Sequence, residues 1–305
     1  MERVSFYDEI ARNRRKSILL SLILIIIIAI LATTISYMWA PEYVIIVLPI
    51  SIIFMAIYTY SSYMYGDQVV LSSTGARAAE GNEYIYLRDS VEGLSIAAGI
   101  QKPKVYVIDS SEMNAFATGR DPEHASVVVT SGLMEQLNRQ ELEGVLAHEL
   151  SHIRNRDVTF MTLVAVAVGL IAILSDIILR SFRYGAFRGS GKSKRGKDRS
   201  GGIQIVILAI GFILAIFAPI LTRIVQFAVS RSREYMADAS GVELTRYSEG
   251  LASALEKIMH HNKGDSKVSE AISHIFFVDP NRSALDSLYA THPPIEDRVK
   301  RLRAM

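Results

Sequence analysis

No cysteine occurs among the 305 residues. That excludes disulfides and thiolate metal sites, so any metal must be held by His, Asp or Glu. It also fits a reducing compartment. Proline is sparse, at 8, and with 19 glycines no long disordered tract is expected. An excess of one charge is missing too. With 33 Lys and Arg against 31 Asp and Glu, the net charge of +2 carries no nucleic-acid footprint. Apolar residues, in contrast, make up half of the chain, and the mean hydropathy of +0.24 is high for a soluble enzyme.

The apolar residues are gathered into four stretches. Ser17–Met38 follows a basic segment with Arg3, Arg12, Arg14, Arg15 and Lys16. It is too long for the core of a signal peptide, and a second stretch follows after four residues. That second stretch, Val44–Tyr65, ends in Tyr58, Tyr60, Tyr63 and Tyr65, which suit a membrane interface. Val158–Leu179 and Ile203–Leu221 are the third and fourth. A helix of about 20 such residues spans the hydrocarbon core, so four transmembrane helices and contact with the bilayer are expected. The charges before the first span put the N-terminus in the cytoplasm. Residues 180–202 dissent, because they carry eight basic residues against Asp198 alone and lie between the third and fourth stretches. Three resolutions stay open: the second hairpin does not cross fully, the first hairpin dominates, or the orientation is reversed. The second is favoured.

This divides the chain into an N-terminal hairpin (1–65), a polar block (66–157), a second hairpin (158–222) and a second polar block (223–305). In the first block, Tyr84, Leu87, Val91, Leu94 and Ala98 recur at helical spacing up to Gly99. Val105–Ile108 and Ser126–Thr130 read as strands, and Asn114–Gly119 between them as an edge strand or turn. In the second block, helices are expected at 241–261 and 267–277, and from Ile295 after Pro294.

The chemistry centres on His148-Glu149-Leu150-Ser151-His152. Residues four apart share a helix face, so His148 and His152 can hold one metal ion. Glu149 can take a proton from a water that the ion activates. Asn138 and Glu141 form a capping box, and Leu142, Val145, Leu146, Leu150 and Ile153 form an apolar stripe. The motif therefore sits on a helix built to be buried. Chance would produce the five-residue pattern in roughly one such chain per hundred.

A hydrolytic zinc site needs a third protein ligand and one open position. Glu234 is the best candidate, with Asp238 one turn on, able to orient a ligating His from behind. Asp157, Glu143 and His292 compete for the third place. The plainer reading of Glu234 and Asp238 is a solvated helix paired with Arg231 and Arg233. His124, His260, His261 and His274 read as surface residues.

Asn114–Gly119, Leu146–Asp157, Ser232–Asp238 and Thr291-His292-Pro293-Pro294 with Arg298 together resemble the HtpX-type membrane metalloproteases, a group that includes the CAAX prenyl proteases. The resemblance implies a mainly α membrane protein with a small α+β zincin-like metalloprotease domain. It implies one Zn2+ per chain on His148, His152 and Glu234, with Glu149 as general base. Asp238 and Arg298 would support the ligands, and His292 would face the site. Asn114, Ala115, Phe116 and Ala117 would bind extended substrate as an edge strand, with Asn114 near the scissile carbonyl. The implied work is cleavage of misfolded or damaged membrane proteins at the cytoplasmic face of the cell membrane. Prenyl-protein processing fits less well, since that branch has more spans. A zinc-binding scaffold without activity is the rival from another class. The presence of Glu149 argues against it, since metal binding alone needs only ligands.

Overall fold

Helices dominate the described residues, and apart from the two-residue strand Arg77–Ala78 the strands lie in short runs between Pro103 and Ser131. The computed structural model describes residues 6–39, 44–183, 208–217, 220, 231–262, 275–278 and 293–305. They form two compact units, Met1–Ser62 with Ala167–Val225, and Tyr63–Val166 with Gln226–Met305.

The first unit is helical. It contains α1 (Phe6–Trp39), the start of α2 (Val44–Thr74), the end of α6 (Asp157–Arg183) and α7 (Leu208–Phe217). Leu24, Ile27, Ile28 and Leu31 are buried, while Leu22, Ile26, Ile53, Phe54, Ile57, Ile173, Ile213 and Ile216 are exposed. Among the described residues, one apolar helix is long enough to cross a membrane, Asp157–Ser181, and Leu22–Ser36 and Leu208–Phe217 are shorter apolar helices. Most of the basic stretch 180–202 lies outside the described residues.

The second unit is mixed α and β. Strands β1 (Arg77–Ala78), β2 (Lys104–Ile108), β3 (Ala115–Gly119) and β4 (Ala125–Thr130) form one sheet in the order β1-β2-β4-β3. β2 and β4 are parallel, and β3 runs antiparallel to β4 with Ala115 opposite Val129. β3 is thus the edge strand expected from Asn114–Gly119. One sheet face, with Val107, Ala115, Ala117, Val127 and Val129, shares a core with α3 (Ile85–Ala98), α5 (Arg139–Arg154), α9 (Ser248–His261) and α10 (Ile295–Leu302). The other face packs Phe116 and Val128 with Val70, Leu71, Met161, Ile275 and Phe276.

Most local expectations match these elements. Helix α3 ends where Gly99 takes φ 67, the left-handed conformation glycine adopts without strain. The short helix α4 (Ser131–Gln136) is capped by Thr130, whose hydroxyl accepts from Leu133 N. Two expectations differ. The helix at 241–261 is broken into α8 (Arg231–Thr245) and α9, because Arg246 takes φ 56 and Thr245 Oγ1 accepts from Tyr247 N. The helix at 267–277 does not reach its expected end. Ile275–Val278 forms a bend against β3, and 267–274 lie outside the described residues.

Candidate metal centre

α5 is set by its ends and its apolar stripe. Asn138 Oδ1 accepts from Glu141 N, and Glu141 Oε2 accepts from Asn138 N, closing the capping box. Leu142, Val145, Leu146, Leu150 and Ile153 are all at most 4% exposed. The helix therefore carries His148, Glu149 and His152 into the interior, where all three are buried.

α8 reaches the same place by close approach. A Cβ on Gly241 would lie 3.1 Å from His148 N, so glycine permits α8 to lie directly against the motif helix. Gly144 does the same between α5 and α9, since a Cβ there would lie 2.8 Å from Leu251 N. Burial of Arg233, Glu234 and Asp238 rules out the solvated-helix reading of α8.

Three ligand atoms converge. His148 Nε2 and His152 Nε2 are 3.2 Å apart, and Glu234 oxygens lie 3.7 and 3.5 Å from them. A tetrahedral ion with ligands at ~2.1 Å would space them ~3.4 Å apart, so the donor set fits zinc in size and in chemistry. Among the described residues, His148, His152 and Glu234 are the one such group. Asp157 and Glu143 do not join it. Asp157 lies on the opposite side of His152, at Nδ1, and Glu143 accepts from the Tyr86 hydroxyl and Arg139. His292 lies outside the described residues.

Behind His148 stands a charged pair. His148 Nδ1 is 2.9 Å from Asp238 Oδ1, and Arg298 donates to both Asp238 oxygens at 2.9 and 2.7 Å. Arg298 Nη2 is also 3.3 Å from His148 Nδ1. That nitrogen cannot both donate to Asp238 and accept from Arg298. The shorter, charge-favoured contact assigns Nδ1–H to Asp238, leaving the Nε2 lone pair for a metal. Arg298 is fully buried on α10, with its guanidinium over the Phe277 ring at 4.8 Å.

The electrostatics separate the two histidines. Burial, with the Arg298 charge, pushes His148 down to about 4 despite Asp238. Burial acts against protonation of His152 as well, but Asp157, Glu234 and Glu149 outweigh it and raise that group to about 9. Burial works against the Asp238 charge too, yet Arg298 and His148 hold its carboxyl down to about 2. Glu149 is 2% exposed, and its charge acts on both His152 and Arg298.

The β3 edge is occupied by the chain itself. Phe277 N donates to Ala115 O at 2.8 Å. Asn114 Nδ2 donates to Val278 O at 2.7 Å, and Asn114 Oδ1 accepts from Val278 N at 3.2 Å. Gly119 N donates to Thr162 Oγ1 farther along. Alternation along an antiparallel strand then leaves Ala117 N–H and C=O facing the same edge. All five β3 residues are buried. His260 and His261 are exposed, and His124 is half-exposed beside Asp121.

Sequence reasoning missed Arg233, Gly241 and Phe277. The first had a signal in its place beside Glu234. The other two had none, because close packing and edge occupancy have no local signature.

A model of peptidase family M48 matches residues 82–305. The chain belongs to peptidase family M48. It is a metallopeptidase, and its similarity to curated relatives runs nearly end to end. It is 43% identical over 307 residues to a protease HtpX homolog of Thermoanaerobacter pseudethanolicus, covering all of this chain and 99% of the relative. Against the protease HtpX homolog of Dictyoglomus thermophilum it is 44% identical over 306 residues, covering 100% and 96%. The protease HtpX homolog of Listeria monocytogenes is 39% identical over 303 residues, with coverage of 98% and 99%. Among solved structures, S. mikatae Ste24p aligns with a TM-score of 0.49 and 21% identity, over 82% of this chain and 57% of that one.

Proposed function

We propose that this M48 peptidase is an integral-membrane zinc endopeptidase that cleaves misfolded or damaged membrane proteins. The observation that carries the reading is the convergence of two Nε2 atoms and one carboxylate within 4.8 Å of one another, with Glu149 buried on the same helix. His148, His152 and Glu234 would hold a zinc ion, which when bound would supply Lewis acidity to the scissile carbonyl and lower the pKa of a water towards ~7.

Glu149 accepts the proton from the attacking water and delivers it to the leaving amine. Asp238 holds His148 in the tautomer that presents Nε2, and Arg298 offsets the buried carboxylate charge. His292 is proposed, from the family resemblance alone, to face the reacting carbonyl.

Substrate adds as a strand to β3. What supports this is that Asn114 and Ala115 already hydrogen-bond the backbone of another segment, that of Phe277 and Val278. A substrate strand takes Ala117 N–H and C=O, and extends to Ala115 where Phe277 gives way. Backbone pairing reads side chains little, so sequence preference is broad. Because β3 is buried, part of its cover must open for substrate to arrive.

The bilayer is the solvent for the first unit. Isoleucines and phenylalanine exposed on α1, α2, α6 and α7 would form a surface that water does not tolerate. Four spans place the N-terminus, zinc site and C-terminus in the cytoplasm, by the charges next to the first span.

The activity test is digestion of a test membrane protein with and without a chelator, read as fragment masses. Fragments that vanish with chelator and return with Zn2+ support the reading, and fragments indifferent to chelator would sink it. Topology is tested by single cysteines at Ser5, Ser193 and Ser266, labelled from outside in sealed cells. Ser5 and Ser266 should both be protected until permeabilisation. Different labelling of the two removes the four-span arrangement.

A further inference from the structure

Each metal-facing histidine has a carboxylate at its Nδ1, and each carboxylate has a buried arginine. For His148 these are Asp238 and Arg298. For His152, Asp157 Oδ2 lies 3.3 Å from Nδ1, and Asp157 Oδ1 lies 3.6 Å from Arg233 Nη1. The Asp157 and Arg233 side chains are 7% and 4% exposed. The Arg233 guanidinium also sits over the Phe160 ring, 5.1 Å from its centre. We propose that Asp157 and Arg233 are a positioning pair for His152, the counterpart of Asp238 and Arg298 for His148.

The physical argument starts from the imidazole ring. One ring nitrogen can point at the metal only if the other carries the proton and is held in place. Asp157 is the acceptor within reach of His152 Nδ1, so it selects the tautomer and the ring orientation that present Nε2. A buried carboxylate needs a counter-charge. Arg233 provides it and adds a contact with the Phe160 ring face.

The backbone explains how five residues of separation bring Asp157 back over His152. Arg156 takes φ 62, and its N–H donates to Ile153 O at 3.0 Å, closing a tight turn between α5 and α6. Asp157 then falls in the first turn of α6, where the positive end of the helix favours a carboxylate. Arg233 precedes Glu234 on α8. One helix therefore brings a ligand to the metal side of His152 and a counter-charge to its rear. The two supports differ in tightness: the histidine–carboxylate and carboxylate–arginine distances are 2.9 and 2.7 Å at His148 against 3.3 and 3.6 Å here. The His152 support should thus be the weaker one.

The inference rests on the zinc reading of His148, His152 and Glu234, and its test separates the two. Zinc affinity is measured by chelator competition on the full chain in detergent, with melting of the metal-free protein as the folding control. The visible spectrum of the Co2+-loaded protein reports ligand geometry. Asp157→Ala should weaken zinc binding about 10–100-fold, Asp157→Asn less, because its amide oxygen still accepts from Nδ1–H. Arg233→Met should weaken it too, with Arg233→Lys restoring part of the loss. The Co2+ spectrum should shift in Asp157→Ala and recover in Asp157→Asn. Zinc affinity of Asp157→Ala or, where that variant fails to fold, of Arg233→Met within twofold of the parent, or an unshifted Co2+ spectrum in Asp157→Ala, overturns the positioning role. A Glu234→Ala control that binds zinc normally overturns the zinc reading instead.

Discussion

Helices α5 and α8 meet at the same buried centre, yet they are built differently. α5 buries an apolar stripe and carries its two histidines and Glu149 along with it. α8 buries Arg233, Glu234, Ala237, Asp238, Ser240 and Gly241, with almost no large apolar side chain among them. The first helix is held by removal of apolar area from water. The second is held by charge pairing and by a glycine contact that permits close approach. A helix of the second kind tolerates little loss, because each buried charge depends on a partner a few ångströms away.

The sharpest test of that division uses one carboxylate from each helix. Glu149→Gln on α5 should retain zinc and fold while cleavage of a reporter peptide falls by about 10²–10⁴-fold, the range for a lost general base. Residual cleavage within tenfold of the parent would remove Glu149 from that role. Glu234→Ala on α8 should instead lower zinc from one ion per chain to a small fraction, read by elemental analysis after dialysis. If zinc stays, α8 does not supply a ligand.

Proton competition extends the comparison to pH. In the metal-free protein His152 stays protonated below about 9, whereas His148 is already neutral above about 4. Zinc must displace the His152 proton, so affinity should fall by about tenfold for each pH unit between pH 8 and 5. Calorimetry in two buffers of different ionisation enthalpy should show close to one proton released per zinc at pH 7. Release of two would mean that His148 also starts protonated.

Smaller effects come from the packing itself. Gly241→Val should press α8 away from His148 and destabilise the fold by about 1–3 kcal/mol, with weaker zinc binding alongside. Stability loss with unchanged zinc affinity would show that the glycine contact does not set the ligand geometry. Asn138→Ala removes only the α5 cap and should cost about 1 kcal/mol in thermal or denaturant unfolding, with zinc affinity retained. A drop in zinc affinity there would mean that α5 depends on its end more than on its stripe.

Much of this arrangement is legible in the sequence. The α5 capping box, its stripe, the Val-rich strands and the end of α3 at Gly99 rest on local periodicity and on residues with strong backbone preferences. α8 was legible through Glu234 and Asp238 but not through an apolar pattern, and its plainest reading was a solvated helix. The break at Arg246 was missed because the helical pattern continues across it, while a side-chain bond from Thr245 and a left-handed residue end the helix. Residues 275–277 fall within the helix expected at 267–277, yet Phe276 and Phe277 go to opposite faces of the sheet beside β3.

The motif helix, the metal-binding residue types, the exclusion of thiolate ligands and the apolar stretches follow from residue identity and spacing along one chain segment. Which carboxylate completes the ligand set, which one stands behind His152, and what lies on the β3 edge depend on distances between segments far apart in sequence. Asp157 and Glu234 are both acidic residues near an arginine. Only the crossing of α8 over α5 at Gly241, and the tight turn at Arg156, put one at Nε2 and the other at Nδ1 of the same ring.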